Sequence, residues 1–193
     1  MRIERKDGYI AVFGDFNVLS SAVFNGGCKS AKTIINLNVP KNFDDDPEYV
    51  FESFIRSNNF ESVVGVMTAA SMKNASVVEE TDVIGIVTAG STSSSQTINI
   101  ILLINKDLIE SAMVNAVIVA TEAKVSALFD LGLKDGDEIM TGTPTDSVVI
   151  ACHGTERVRY AGPVTDIGSR IYGVVRRCVK EAMIAQEGIH VMD

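Results

Sequence analysis

The sequence is poor in the residues that most often carry catalysis or bind metals. Its 193 residues include no tryptophan, two histidines and three cysteines. The cysteines are far apart and odd in number, with no C-x-x-C pair, which excludes a typical zinc site or disulfide scaffold and fits a reducing cytoplasm. We therefore expect no metal ligands and no structural disulfide. Cys28 and Cys152 are expected to be small buried residues, since nothing around them marks a stabilised thiolate.

Several well-known motifs and segments are also missing. There is no phosphate loop, dinucleotide fingerprint, nucleophile elbow or H-E-x-x-H helix. The net charge of -8 and pI near 4.8 argue against a nucleic-acid partner. Charged residues from Arg2 to Asp7 break any signal peptide, and the longest apolar stretch, Ile98 to Ile104, is too short to span a bilayer. These absences favour a soluble, cytoplasmic protein without membrane contact.

The residues that are present suffice for one apolar core. Hydrophobic residues make up 46% of the chain, and no repeat or linker marks a boundary, so we predict a single domain over residues 1–193. Strands are expected at Met1–Arg5, Tyr9–Phe13, Val18–Ala22, Thr33–Val39, Val63–Thr68, Ser76–Glu79, Val83–Thr88, Thr97–Ile104 and Ser147–Cys152. They cluster without strict alternation with helices, which predicts an α+β fold with a mixed or antiparallel sheet.

Three helices are expected to pack against this sheet, one short and two long. They are predicted from Asp46–Pro47 to Asn58–Asn59, from Asp107 to Leu131, and from Thr165–Asp166 to Gly188. Asp46 is placed to cap the first helix. Asp107 and Glu110 have the spacing of a capping box at the start of the second, and Gly132 follows its end.

One charge falls on the apolar side of the second helix. At 100° per residue, Lys124 lies within a stripe of apolar residues, whereas Glu122 lies on the opposite, polar face. A buried ammonium is costly unless it is paired. Lys124 therefore either extends to water along its flexible stem or meets a carboxylate at the end of the sheet. Asp146 is the first candidate for that partner.

Two polar loops are candidate site segments. The loop Thr141–Asp146 can present hydroxyl and backbone N–H groups to an anion or carbonyl, or it is an ordinary turn whose threonines bond their own backbone. The loop Gly90–Ser95 is either a flexible connection or a lid. His153 either caps a strand or carries a proton. His190, near the C-terminus, is expected to be exposed.

The order of the segments resembles the adenosylcobinamide amidohydrolase family (CbiZ), known mainly from archaea. The matching segments are Leu19–Ala22 with Gly26–Gly27, Ile35–Asn36 with Val39, Val64–Ala70, Val87–Gly90, Thr97–Ile101, Ala120–Lys124, Thr141–Asp146, and Tyr160–Gly162 with Gly168. The resemblance implies hydrolysis of the amide that joins the corrin ring's propionyl side chain to aminopropanol. Adenosylcobinamide would become adenosylcobyric acid and 1-amino-2-propanol, in the salvage of corrinoids for coenzyme B12. The corrinoid is then substrate and no cofactor is implied.

Roles for the residues follow from the resemblance and from the needs of amide hydrolysis, which are a nucleophile, an oxyanion stabiliser and an acid for the amine. Asp146 or Glu122 would activate water. Lys124, with backbone N–H groups of the Thr141–Thr145 loop, would hold the oxyanion or protonate the amine. A nucleophilic Thr143 or Thr145 is the competing mechanism. Substrate binding would involve Asn36, Thr68, Thr88, Asn99, Thr141 and Gly142.

Other functions are compatible with the same residues. A non-catalytic corrinoid carrier would keep the binding cleft without the reaction. A related amidohydrolase or acyltransferase would act on another amide. A homodimer is possible, and the doublet Arg176–Arg177 is either a solvated face, a contact to corrin carboxamides or part of such an interface.

Overall fold

The computed structural model describes residues 1–91 and 97–189. The helices in these ranges are α1 (Pro47–Asn58), α2 (Glu110–Asp130) and α3 (Asp166–Glu187). The strands are β1 (Arg2–Lys6), β2 (Tyr9–Ser20), β3 (Gly27–Asn38), β4 (Val63–Thr68), β5 (Ser76–Glu80), β6 (Val83–Gly90), β7 (Thr97–Ile104), β8 (Asp107–Leu108), β9 (Lys134–Asp135), β10 (Glu138–Ile139), β11 (Ser147–Cys152) and β12 (Arg157–Val158). One short and two long helices beside a mixed sheet confirm the predicted α+β fold.

The main sheet runs in the order β4-β3-β2-β11-β7-β6-β5, and β1 pairs with β2 outside that path. β11 is parallel to β7 and β3 is parallel to β4, whereas the other neighbours are antiparallel. β2 joins the two halves of this sheet. One of its edges pairs with β3, and the other pairs first with β1 and then with β11.

The sheet curls until strands from its two halves face each other. Asn36 on β3 donates from Nδ2 to Thr88 Oγ1 on β6 at 2.8 Å, although three strands separate β3 from β6 in the sheet order. Side chains of six strands fill the enclosed face, including Ile10, Val12, Ile34, Val64, Ile86, Ile101 and Val149. Because side chains alternate along a strand, polar residues at one end of this face converge above the apolar core.

Helices cover the outer faces of the curled sheet. The apolar sides of α2 and α3 pack on outward residues of β6, β7 and β11, such as Val87, Ile100 and Ile150. α1 covers β2, β3 and β4, where Phe51 packs in a cluster with Tyr9. Both arrangements bury the apolar stripe of an amphipathic element, which is the main source of stability for such helices.

Three local predictions were wrong, each because strand pairing overrode a local signal. The strand predicted to end at Phe13 does not end there: the pairing of β2 with β3 shifts register between Phe13 and Phe16, so β2 continues through a bulge. β3 begins earlier than predicted, at Gly27, because its exposed polar first half pairs with the second half of β2. Asp107 does not cap α2, since it pairs with Arg157 of β12 and Ile109 takes the N-cap position.

The other helix ends are confirmed. Asp46 accepts the backbone N–H of Glu48 at 2.9 Å, and the Thr165 side chain accepts that of Gly168 at 3.1 Å. α2 is, in the described part of the chain, the one helix long and apolar enough to cross a membrane by composition alone. It packs against α3 and β11, as the core helix of a soluble protein does.

Candidate active site

The centre of the candidate site is an ion pair between α2 and the residue before β11. Lys124 Nζ lies 2.5 Å from Asp146 Oδ2, and the two side chains are 11% and 15% exposed. The helical stripe directs Lys124 toward the sheet, and Asp146 meets it where β11 begins. The predicted pairing of Lys124 with Asp146 is therefore confirmed, and the alternative in which Lys124 extends into water is wrong.

The Asp146 carboxylate is held by three further hydrogen bonds. Oδ1 accepts the backbone N–H of Ile98 at 2.9 Å and the hydroxyl of Thr143. Oδ2 accepts the backbone N–H of Thr143 at 3.1 Å. Such charge-assisted bonds are strong, and bonds to both oxygens prevent rotation of the carboxylate. The backbone N–H of Thr143 is thus engaged by Asp146, and the oxyanion role of the other N–H groups of the loop stays a prediction.

Gly142 makes room for the pair. A Cβ atom at this position would lie 2.5 Å from Asp146 Oδ2 and 2.5 Å from Lys124 Nζ. Any larger residue would displace both charged groups, so a glycine is required here for steric reasons. Its predicted membership of the site is supported by this proximity.

The remaining threonines of the loop lie in different surroundings. The hydroxyls of Thr145 and Thr97 hydrogen-bond to each other, which links the loop to the first residue of β7. Thr141 is exposed. Thr97 was not predicted as a site residue, although its alternation with Asn99 places both on the enclosed face.

A second polar cluster closes one end of the enclosed face. Asn99 donates from Nδ2 to the carbonyl of Met67 at 2.7 Å and to Asn36 Oδ1 at 3.3 Å. Asn36 in turn donates to Thr88. Thr68 accepts the backbone N–H of Ala70 at 3.0 Å with its own hydroxyl. The structure therefore brings together the four predicted binding residues that lie on β3, β4, β6 and β7.

One atom of this cluster lacks a partner. Within the part of the chain that the structure describes, Asn99 Oδ1 is buried and accepts no hydrogen bond. Buried polar atoms are nearly always paired with protein, water or ligand, and an exception calls for an explanation. Asn99 is opposite Ser147, the residue after Asp146, so this acceptor and the ion pair lie at the same end of β7 and β11.

Glu122 does not join the site. It is exposed on α2, two residues and therefore about 200° around the helix from Lys124. Of the two carboxylates considered as bases, the structure places only Asp146 beside Lys124.

His153 lies at the opposite end of β11 from Asp146, about 20 Å away at the usual rise of a strand. It packs edge-on against Phe16 and lines a cavity of about 390 Å³ with Asp15 and Lys32. Burial lowers its pKa. The hypothesis that it carries a proton in this site is therefore wrong.

The cysteines divide into exposed and buried ones. Cys28 is exposed, contrary to prediction, because it lies on the polar half of β3. Cys152 and Cys178 are buried, and burial raises the pKa of each thiol to about 11. Neither is a thiolate at neutral pH. Residues 1–91 and 97–189 contain no group of three or more metal-ligating side chains.

Two predictions concern residues that the structure leaves undescribed. Residues 92–96, most of the proposed lid, and His190 lie outside the described ranges. At the edge of that loop, the backbone N–H of Ser91 donates to Glu187 Oε1 at 2.7 Å. The lid stays a prediction.

An enclosed ammonium–carboxylate pair with a half-buried hydroxyl, at the same end of the strands as a cluster of amides, is a set of groups that suits an enzyme of small-molecule chemistry. The chain belongs to the adenosylcobinamide amidohydrolase family (CbiZ), whose model matches residues 3–190.

Relatives agree with this assignment. A protein of Methanosarcina mazei named adenosylcobinamide amidohydrolase is 31% identical over 201 residues, covering 95% of this chain and 98% of the relative. One of the same name from Halobacterium salinarum is 34% identical over 90 residues, covering 46% of this chain and 35% of its own. An uncharacterized protein of Methanocaldococcus jannaschii is 39% identical over 98 residues, covering 49% of this chain and 38% of its own.

Proposed function

We propose that this protein hydrolyses the amide between the aminopropanol arm and the corrin side chain of adenosylcobinamide. The products are adenosylcobyric acid and 1-amino-2-propanol. The observation that carries the proposal, beside family membership, is the Asp146 carboxylate, which is paired with Lys124 and accepts the hydroxyl of Thr143. A carboxylate in this setting can take a proton from an attacking hydroxyl, which is what amide hydrolysis requires.

Each group has a place in this proposal. Asp146 is the general base and Lys124 orients it, while the Lys124 charge also stabilises the negative oxygen that forms on the attacked carbonyl. Asn36, Thr68, Thr88 and Asn99 form the floor of the site. The free Asn99 Oδ1 is the acceptor that we assign to an N–H of the substrate amide.

The proposal takes residues 1–193 as one amidohydrolase unit in the cytoplasm, with the corrinoid as substrate and no resident cofactor. A homodimer stays a prediction. The doublet considered for an interface is engaged within the chain, since Arg176 pairs with Asp130 and Arg177 donates to Glu181 at 2.8 Å.

The decisive experiment is incubation of the purified protein with adenosylcobinamide, followed by mass spectrometry of the corrinoid and of the released amine. We expect adenosylcobyric acid and 1-amino-2-propanol in equal amounts over many turnovers. Binding without cleavage would instead indicate a corrinoid carrier. Cleavage of other amides only would indicate a different amidohydrolase.

The base is tested by Asp146→Asn, which keeps the shape of the side chain and removes its basicity. We expect turnover to fall by at least about 10²-fold. The matched control is Asp82→Asn, because Asp82 also pairs with a lysine, Lys106, at 3.2 Å but lies at the other end of β6. Near-normal turnover of Asp146→Asn would exclude this carboxylate as the base.

A further inference from the structure

We propose that Thr143 is the nucleophile and that the reaction passes through an ester on its hydroxyl, which gives the protein an amine-exchange activity besides hydrolysis. This inference rests on the proposed function. Its test distinguishes a wrong role for Thr143 from a wrong assignment of the hydrolytic activity.

The structure distinguishes the two threonines that the sequence left as equal candidates. The hydroxyl of Thr143 donates to Asp146 Oδ1. The hydroxyl of Thr145 is hydrogen-bonded to that of Thr97. A nucleophilic hydroxyl must give up its proton to a base within hydrogen-bond reach as it attacks. Thr143, whose hydroxyl is bonded to the Asp146 carboxylate, meets that condition.

The base is also held in the orientation that the attack needs. Lys124 and the backbone N–H of Thr143 occupy Oδ2, and the backbone N–H of Ile98 fixes Oδ1 beside the Thr143 hydroxyl. Nucleophile, base and orienting group thus form one connected series, the arrangement that recurs in hydrolases with covalent intermediates. Asp146 is largely buried, whereas Thr143 is half-buried and can meet substrate from solvent.

The chemical steps balance without any further reagent. Thr143 Oγ forms a bond to the amide carbon as its proton passes to Asp146. The tetrahedral species then breaks its C–N bond, and the departing nitrogen takes the proton from Asp146 and leaves as 1-amino-2-propanol. Water next attacks the ester and gives its proton to Asp146. The ester C–O bond breaks, Thr143 recovers the proton, and the carboxylic acid is released.

A covalent ester predicts behaviour that direct attack by water does not. Once the amine has left, the ester can react with water or with an amine from solution. Free labelled 1-amino-2-propanol should therefore be incorporated into adenosylcobinamide during hydrolysis. Hydroxylamine should divert part of the product into the corrinoid hydroxamate.

The test uses the wild-type protein with adenosylcobinamide and isotopically labelled 1-amino-2-propanol, analysed by mass spectrometry. We expect labelled substrate during turnover, and a peptide carrying the corrinoid acyl group on Thr143 after acid quenching. Thr143→Ser keeps a hydroxyl and should retain both signals. Thr143→Ala should lose them, with turnover reduced at least about 10³-fold.

The possible outcomes separate the two proposals. Hydrolysis without label exchange or a modified peptide overturns the role of Thr143 and leaves the proposed function standing. Turnover of Thr143→Ala within tenfold of wild type would also overturn the role of Thr143 and leave the proposed function standing. If the wild type releases no amine, both proposals are wrong. Should Thr143→Ala fail to fold, the exchange and peptide measurements on the wild type still decide.

Discussion

The two ends of the central strands both carry a lysine paired with an aspartate, in different surroundings. At the start of β7 and β11, Lys124 and Asp146 are largely enclosed, and further hydrogen bonds hold the carboxylate. At the far end, the Lys106 and Asp82 side chains are 19% and 18% exposed, but Asp82 also pairs with Arg170, and Lys106 also pairs with Glu156, whose side chain is 71% exposed. A charge with a second counter-charge that reaches water loses little when one partner is removed, whereas an enclosed charge with one counter-charge depends strongly on it.

The comparison shows how to distinguish a structural ion pair from a functional one. The pair at the far end belongs to a network of charges that includes Arg170 and reaches water at Glu156. The enclosed pair keeps a charge out of water, contacts a hydroxyl on a loop and lies one residue from an amide cluster. Enclosed charges with a bound hydroxyl are typical of catalytic sites, where desolvation strengthens each interaction.

The largest difference is expected from removing each lysine. Lys124→Met leaves Asp146 buried without its counter-charge, so the free energy of unfolding should fall by about 3–5 kcal/mol and activity should be lost. Lys106→Met should leave the melting temperature close to that of wild type, because Asp82 keeps Arg170 as a counter-charge. Thermal unfolding of both variants checks this, and equal losses would contradict the distinction drawn between the two ends.

A methyl group added next to the enclosed pair should act mainly on catalysis. Gly142→Ala places Cβ against Lys124 and Asp146, which must then move apart. Displacement of catalytic groups by about 1 Å lowers rates by about 10²-fold, so a loss of that size in kcat is expected. Gly8→Ala, where nothing lies within 4 Å of the added atom, is the control. Unchanged kcat in Gly142→Ala would show that the pair is not catalytic.

At the far end of β11, Cys152 should make the stability of the protein fall at alkaline pH. Burial raises the pKa of Cys152 from 9.0 to about 11, so the folded state binds this proton more tightly than the unfolded state. The resulting stability is complete below pH 9 and is lost as the pH rises toward 11, by about 2 kcal/mol. Melting temperatures from pH 8 to 11 should fall more steeply for wild type than for Cys152→Ala. Parallel curves would contradict this assignment.

The smallest effect is expected at His153. His153 lies at the end of β11 opposite Asp146. The substitution His153→Gln should therefore change kcat/KM by less than about twofold, as is usual for substitutions away from functional features. Its pH–rate profile should match that of wild type. Loss of a limb of that profile would mean that the far end takes part in the reaction.

Much of the site was predictable from local patterns. The helical stripe around Lys124 predicted that its ammonium either extends to water or pairs with a carboxylate, and Asp146 was the first candidate for that carboxylate. Helix caps at Asp46 and Thr165 follow from side chains that bond only a few residues away. The predictions that failed, at Asp107 and at the start of β3, concern residues whose backbone pairs with another strand: Asp107 with the distant Arg157, and Gly27 with Ser20 at the end of the preceding strand.

The sequence by itself thus determined the α+β class and the main helices and made Asp146 the first candidate partner of Lys124, because periodicity, capping and the energetic requirement to pair a buried charge act through composition and short spacing. Only the tertiary structure decided that Thr143 and not Thr145 contacts the Asp146 carboxylate, and that Asn36 meets Thr88 across the curled sheet. Those contacts depend on backbone geometry and on pairing between distant strands, which no local pattern specifies.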